Sequence, residues 1–281
     1  MFRFASAIAV IASAVLAASA SSALAAPHRA LPQFSHVVIV MEENKSFDQI
    51  IGSAAAPYIN TLARRGALFT NSHGVTHPSL PNYFALFAGA VNTNADGCPA
   101  TGISTNAVNL ASELIAAKKT FGGYSESLPE RGFTGCWAGD YGRKHAPWVH
   151  FTNVPGANNL PFTAFPAYDR LPTVSFIVPN VQNDMHDGSI AQGDAWLRTH
   201  LGPLIDWGQN HDTLVVLTWD EDFGTAGNRI PTLFLGPMVR PGRYDESVDH
   251  YRVLRTVEDL FALPHAGNSA TVQPIADCWS A

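Results

Sequence analysis

Short runs of β-branched and aliphatic residues recur along this chain between stretches of helical period. That alternation limits the fold more than any other feature. His36 to Met41 (His-Val-Val-Ile-Val-Met), Thr173 to Val178 and Thr213 to Thr218 (Thr-Leu-Val-Val-Leu-Thr) are near-continuous apolar runs, as strands covered on both faces must be. Ala67 to Thr70, Thr120 to Tyr124 and Ile230 to Leu235 fit further strands. Helices are predicted over Pro57 to Arg65, Leu80 to Ala88, about Ala107 to Lys119 with Ser104 or Thr105 as cap, Ala191 to Asp206, and His250 to Phe261. The pattern predicts an α/β fold, a mainly parallel central sheet with helices on both faces. Residues 125–170 are rich in Gly, Pro and aromatics and read as a long loop or small insertion beside a functional site.

The first 25 residues stand apart. Arg3 precedes an apolar run from Ala5 to Ala20, and Ala23-Leu24-Ala25 offers a small-residue cleavage pattern. This reads as a secretory signal peptide cut after Ala25, leaving residues 26–281 as one domain with no transmembrane anchor, secreted or periplasmic. Losing Arg3 takes the net charge from −6 to about −7. An acidic chain is poorly suited to nucleic acid, so nucleic-acid partners are not expected. Of the three cysteines, Cys98 and Cys136 share one loop-rich region and are the preferred disulfide, which export permits.

In a parallel sheet, ligands gather beyond the carboxyl ends of the strands. Glu42-Glu43-Asn44 follows the first strand. Asn183-Asp184-Met185-His186-Asp187 follows the run at 173–178. Trp219-Asp220-Glu221-Asp222 follows the run at 213–218, and Asp249-His250 opens the last helix. Carboxylates packed together repel, and oxygen-rich clusters with a few histidines suit a hard or borderline divalent cation. Strand alternation turns Glu42 and Glu43 to opposite faces, and Glu43 is the expected ligand. Trp137, Trp148 and Phe151 read as core or wall. In His77-Pro78-Ser79-Leu80-Pro81-Asn82-Tyr83, a serine stands at a helix N-terminus, where unpaired N–H groups and the helix dipole favour anions. A serine oxygen aimed at phosphorus would want this setting.

These motifs resemble the alkaline phosphatase superfamily, and more closely its bacterial phosphoesterase branch of secreted acid phosphatases and phospholipases C. Met41-Glu42-Glu43-Asn44-Lys45-Ser46-Phe47-Asp48 is similar to that branch's Glu-Glu-Asn-x-Ser-Phe-Asp opening. The Ser79 heptapeptide is similar to the nucleophile segment of nucleotide pyrophosphatase relatives, and Trp219 to Gly224 to the later metal motif. The resemblance implies a metal-dependent phosphatase that hydrolyses phosphate monoesters, of small molecules or lipids, through a phosphoserine. A phospholipase C-type phosphodiesterase is the alternative. It implies Ser79 as nucleophile, with Glu43, Asn44, Asp220 and Glu221 around a metal. Asp184, His186 and His250 fall where relatives hold a second metal or grip phosphate. Asn82, His77, Arg143, Lys144 and His145 are the implied phosphate contacts. Two-metal relatives carry Asp-His where this chain has Asp220-Glu221, and space Asp and His four apart rather than two as in Asp184 and His186. One divalent metal is therefore expected, with two possible.

Overall fold

The computed structural model describes residues 1–2, 31–91, 93, 95–224 and 226–280. The signal-peptide reading, residues 1–25, falls almost wholly outside the described residues. Strands β1 (His36–Glu42), β2 (Ala67–His73), β3 (Phe121–Ser125), β6 (Asn159–Pro161), β7 (Val174–Val178), β8 (Thr213–Trp219), β9 (Thr232–Leu235) and β10 (Gly242–Asp249) form one sheet in the order β10-β2-β9-β8-β1-β7-β3-β6. A separate two-strand hairpin joins β4 (Trp137–Ala138) and β5 (Tyr141–Gly142). Only β9 runs against its neighbours in the large sheet, so the mainly parallel expectation holds.

β1 lies in the middle, between β7 and β8. Val37, Ile39 and Met41 face one core with α3 (Ser79–Ala88), α4 (Leu110–Ala116) and α7 (His250–Leu260). Val38 and Val40 face the other, with α2 (Pro57–Arg65), α5 (Ile190–His200) and α6 (Gly202–Gly208); the short α1 (Phe47–Ile50) follows the first strand. Val37 to Met41 are all fully buried. At roughly 2 kcal/mol per apolar side chain they contribute on the order of 10 kcal/mol. Burying a charge costs several kcal/mol, so this strand can carry buried acids at its end.

Several boundaries differ from the sequence reading, each for a local reason. The helix expected over 107–119 begins at Leu110, because Asn109 accepts from the Ser112 N–H and forms a capping box with it. The helix expected over 191–206 breaks into α5 and α6 at Gly202-Pro203, since proline lacks the N–H to continue the ladder. β9 starts after Pro231 for the same reason. β10 was not expected: it is an edge strand of alternating exposure with charged side chains outward. Residues 125–170 hold a hairpin, an edge strand and short 3-10 turns. Trp148 and Phe151 are buried there, but Trp137 is 54 % exposed and is not core.

Cys98 and Cys136 form the expected disulfide, and Cys278 is free and buried. The bridge spans 38 residues, and closing a loop of that length stabilises by about 4 kcal/mol in the chain-entropy account.

Candidate active site

The carboxyl ends of β1, β7 and β8 lie side by side, and this adjacency brings three distant acids together. Glu43 leaves β1 and its N–H donates to the Asp184 carbonyl (2.7 Å). Asp220 leaves β8 and its N–H donates to the Glu42 carbonyl (3.0 Å). Ser79 is the first residue of α3, whose ten residues are all buried, on the face of the sheet that Glu43 shares. Its hydroxyl donates to Glu43 Oε2 at 2.9 Å and lies 3.5 Å from Asn44 Oδ1. The Asn44 N–H in turn donates to Asp220 Oδ1 at 3.0 Å. A serine oxygen, two carboxylates and an amide thus occupy one spot, 36 and 141 positions apart in the chain along the Ser79–Glu43 and Ser79–Asp220 paths.

The backbone here is held in sparsely populated conformations. Asn44 (φ 48°) and Met185 (φ 77°) both have positive φ. A non-glycine residue in that region costs on the order of 1–3 kcal/mol and persists only where its surroundings fix it. Lys45 supplies one such restraint, donating from Nζ to the Met185 carbonyl at 2.7 Å.

Glu43, Asp184, Asp220 and Glu221 are all buried. Burial is the first cause that raises each carboxyl, taking Asp184 to about 8 and Glu221 to about 9. Neighbouring acids add to the rise: Asp220 and Asp184 act on Glu43, and Asp220 on Glu221. His145 is wedged among them. Its Nε2 lies 3.1 Å from Glu43 Oε1 and its Nδ1 lies 3.1 Å from Asp184 Oδ2, neither aligned as a hydrogen bond. Burial, with Lys144 and His186 adding, pushes its pKa down to about 3. The ring is therefore neutral near pH 7 and brings no charge to offset the acids on either side of it. Glu43 Oε1, Asp184 Oδ2, Asp220 Oδ2 and His145 Nε2 are all buried without hydrogen-bond partners. Ligand atoms of Glu43, His145 and His186 fall within 4.8 Å of one another. Crowded, unpaired acids beside neutral imidazole fit a divalent cation.

The remaining expected site residues are distributed more widely. Lys144 donates to Asp96 Oδ2 (2.9 Å) and to His186 Nε2 (3.1 Å), and Glu43 and Asp96 raise its pKa against the opposing effect of burial. Because Lys144 can only donate, His186 presents its other nitrogen, Nδ1–H, to Asp187 Oδ1 (2.7 Å). His77 Nδ1 lies 2.9 Å from Glu221 Oε2, so Glu221 is turned toward His77 and Asn82. An open cavity of about 240 Å³, lined by Asn44, His77, His186, Glu221, Asp222, Phe223 and Gly224, gives access to this edge.

Three placements depart from the sequence reading. The Asn82 amide is taken up within the protein: Oδ1 accepts from the Val75 and Thr76 N–H groups, and Nδ2 donates to the Thr76 and Pro78 carbonyls and to Glu221 Oε2 (3.3 Å). It shapes the turn into α3 and ties that turn to Glu221. Arg143 turns away, donating to the Thr134 and Val149 carbonyls, because adjacent residues in its 3-10 turn project in different directions. His250 is buried, with Nε2 2.6 Å from the Asp220 carbonyl, so it braces the end of β8.

Two contributors were missed. Asp96 accepts from the Leu80 N–H (2.9 Å), filling part of the anion-favouring N-terminus of α3, and also pairs with Lys144. Tyr83 stacks on His145 at 5.4 Å and 8° and fixes that ring. Asp96 sits in a Gly/Asn/Thr-rich loop with no local signal. Tyr83 follows Ser79 by four, the spacing that shares a helix face, and that signal was available.

A model of the phosphoesterase family matches residues 53–264. The phosphatidylinositol-3-phosphatase of Mycobacterium tuberculosis is 52 % identical over 254 residues, covering 89 % of this chain and 84 % of that protein. The acid phosphatase of Aspergillus fumigatus is 35 % identical over 260 residues; the match covers 83 % of this chain and 56 % of the fungal protein. A solved Vibrio parahaemolyticus protein of the alkaline phosphatase superfamily shares the fold at 13 % identity, with a TM-score of 0.60 over 89 % of this chain and 72 % of that one.

Proposed function

This chain belongs to the phosphoesterase family and is a hydrolase of phosphoric ester bonds, and from that premise we propose that it is an exported, metal-dependent phosphomonoesterase working through a phosphoserine at Ser79. The observation that carries the reading is the Ser79 hydroxyl at the start of α3, donating to Glu43 Oε2 at 2.9 Å among carboxylates from three strand ends. A divalent cation held by Glu43, His145 and His186, with the unpaired oxygens of Asp184 and Asp220 beside it, would neutralise these acids and supply Lewis-acid stabilisation of phosphoryl oxygen.

The chain's own residues supply the rest. Ser79 Oγ bonds to phosphorus as the ester oxygen departs, and its proton passes to Glu43 Oε2. The leaving oxygen takes a proton from water in the open cavity. Water then attacks the phosphoserine, phosphate leaves, and Ser79 regains its proton. Lys144, which a cation on His186 would leave held by Asp96 beside Glu43, offsets the charge of the phosphoryl group. Asn82 and His250 position the loop before α3 and the end of β8. Positioning and charge neutralisation give most of the rate.

Export is supported by the leader-like N-terminus and by the Cys98–Cys136 disulfide, which persists in oxidising compartments. No helix among the described residues is long and apolar enough to cross a membrane. Phe223, 64 % exposed at the rim of the cavity, offers an apolar face to the leaving group. The mycobacterial relative's name makes a phosphorylated lipid head group a natural member of the substrate panel.

Phosphate release from a chromogenic monoester and from its diester counterpart, each with and without chelator, tests the proposal. We expect the monoester to turn over at least about a hundredfold faster, with the activity abolished by chelator. Faster diester cleavage would favour the phospholipase C-type alternative, and chelator-resistant turnover would remove the metal.

A further inference from the structure

Arg143 leads to a second cavity, distinct from the one at the sheet edge. One 3-10 turn, Arg143–His145, sends Lys144 and His145 to the acidic cluster and Arg143 the other way. There a cavity of about 350 Å³ is walled by Trp148, Phe151, Val154, Pro155 and Gly156. It shares no lining residue with the cavity that holds His77 and His186. The Arg143 guanidinium lines it and is held from behind by the carbonyls of Thr134 (2.7 Å) and Val149 (3.2 Å). No carboxylate pairs with it among the described residues, and each of its two terminal nitrogens keeps one N–H beyond those bonds. His150, also in the wall, is driven by burial and by the nearby Arg143 charge to about 4, and so adds no charge near neutral pH.

A lone guanidinium on an apolar hole is matched by one negative charge on an apolar body. Guanidinium binds carboxylate through paired N–H groups. At about 30 Å³ per water-sized group, the space holds roughly a dozen non-hydrogen atoms. A phosphate monoester carries about −1.5 to −2 at neutral pH and overmatches a single cation.

We propose that this cavity is a binding site for a small amphiphilic carboxylate, an aliphatic or aromatic monoacid whose head pairs with Arg143 and whose body lies against Trp148 and Phe151.

Calorimetric titration of the full chain with octanoate, and separately with octanol, tests this. We expect octanoate to bind with a dissociation constant of about 0.1–1 mM, within the usual range of affinity per ligand atom. Octanol should bind at least about tenfold more weakly, since it lacks the charge-assisted pair. Arg143→Leu should lower octanoate to the level of octanol. Because Arg143 also ties down two loop carbonyls, a second variant guards against misfolding. A Cβ at Gly156 would meet only Gly132 Cα, at 3.9 Å, so Gly156→Leu adds bulk at the wall without a backbone clash and should abolish binding of both probes. Absence of octanoate binding to the folded wild-type chain would overturn the proposal. So would equal affinity for octanol, or an unchanged octanoate affinity in either folded variant.

Discussion

Glu113 of α4 and Glu258 of α7 are buried between outer helices, while Glu43, Asp184, Asp220 and Glu221 are buried at the carboxyl edge of the sheet. The helix pair removes its conflict with one proton. Glu258 accepts from the Ala266 N–H (2.8 Å) and the Ser269 hydroxyl (2.6 Å). Glu113 is pushed up to about 8 by burial first and by Glu258 second, so it is protonated near neutral pH. Among the described residues, no imidazole makes a hydrogen bond or ion pair with either acid. The sheet edge instead crowds four acids around neutral His145, places the Ser79 hydroxyl against Glu43, and borders an open cavity. A raised carboxyl is therefore no mark of function by itself. What separates the two regions is convergence from three strand ends, with a buried imidazole between two acids and a path to solvent.

Several experiments break or sharpen this contrast. The largest effect is expected from Ser79→Ala, which should lower kcat on a chromogenic monoester by at least about 10⁴-fold while the unfolding midpoint moves by only a few degrees. Glu113→Gln should leave kcat within about twofold. Equal losses in the two variants would erase the distinction.

Metal removal comes next. Dialysis against chelator should abolish turnover, and a divalent ion should restore it and raise the unfolding temperature by several degrees. Glu43→Gln should lose that thermal response and Glu113→Gln should keep it. Lys144→Met is expected to cost about tenfold to a hundredfold in kcat/KM, since it removes a cation that acts on Glu43 and Asp220.

The pH test reads the helix pair alone. A carboxyl whose folded pKa of about 8 lies above its unfolded value binds more protons in the native state. Its stabilising contribution is complete below about pH 4.5 and is lost as pH rises toward 8. Glu113→Gln should therefore gain several degrees in unfolding temperature over wild type at pH 8 and little at pH 4.5. The smallest effect is expected from Phe223→Ala: a few-fold rise in KM for aryl or lipid-borne monoesters, with kcat retained.

The sequence carried the parallel sheet because runs such as Val37–Met41 and Thr213–Trp219 are buried on both faces and leave no other reading. It also carried the ends of β1, β7 and β8, since acids directly after buried strands have one place to go. It did not carry β10, whose Gly-Arg-Tyr-Asp-Glu-Ser-Val-Asp is an edge pattern of polar residues and looks like loop. Nor could it give side-chain direction within the turn Arg143–His145, where Lys144 and His145 go to the acidic cluster and Arg143 to a separate cavity. Asn82 reads as a phosphate ligand by position, but the turn at Val75 and Thr76 claims its amide. Asp96 reaches Lys144 across 48 positions, a contact that only the closed fold creates.

The central claim is a covalent one, and acid quenching tests it most directly. Enzyme mixed with a phosphate monoester, stopped in acid within the turnover time and digested, should yield one phosphorylated peptide, with the phosphoryl group on Ser79, and none from Ser79→Ala. A phosphoryl group found on another residue, or full turnover by Ser79→Ala, would contradict the account.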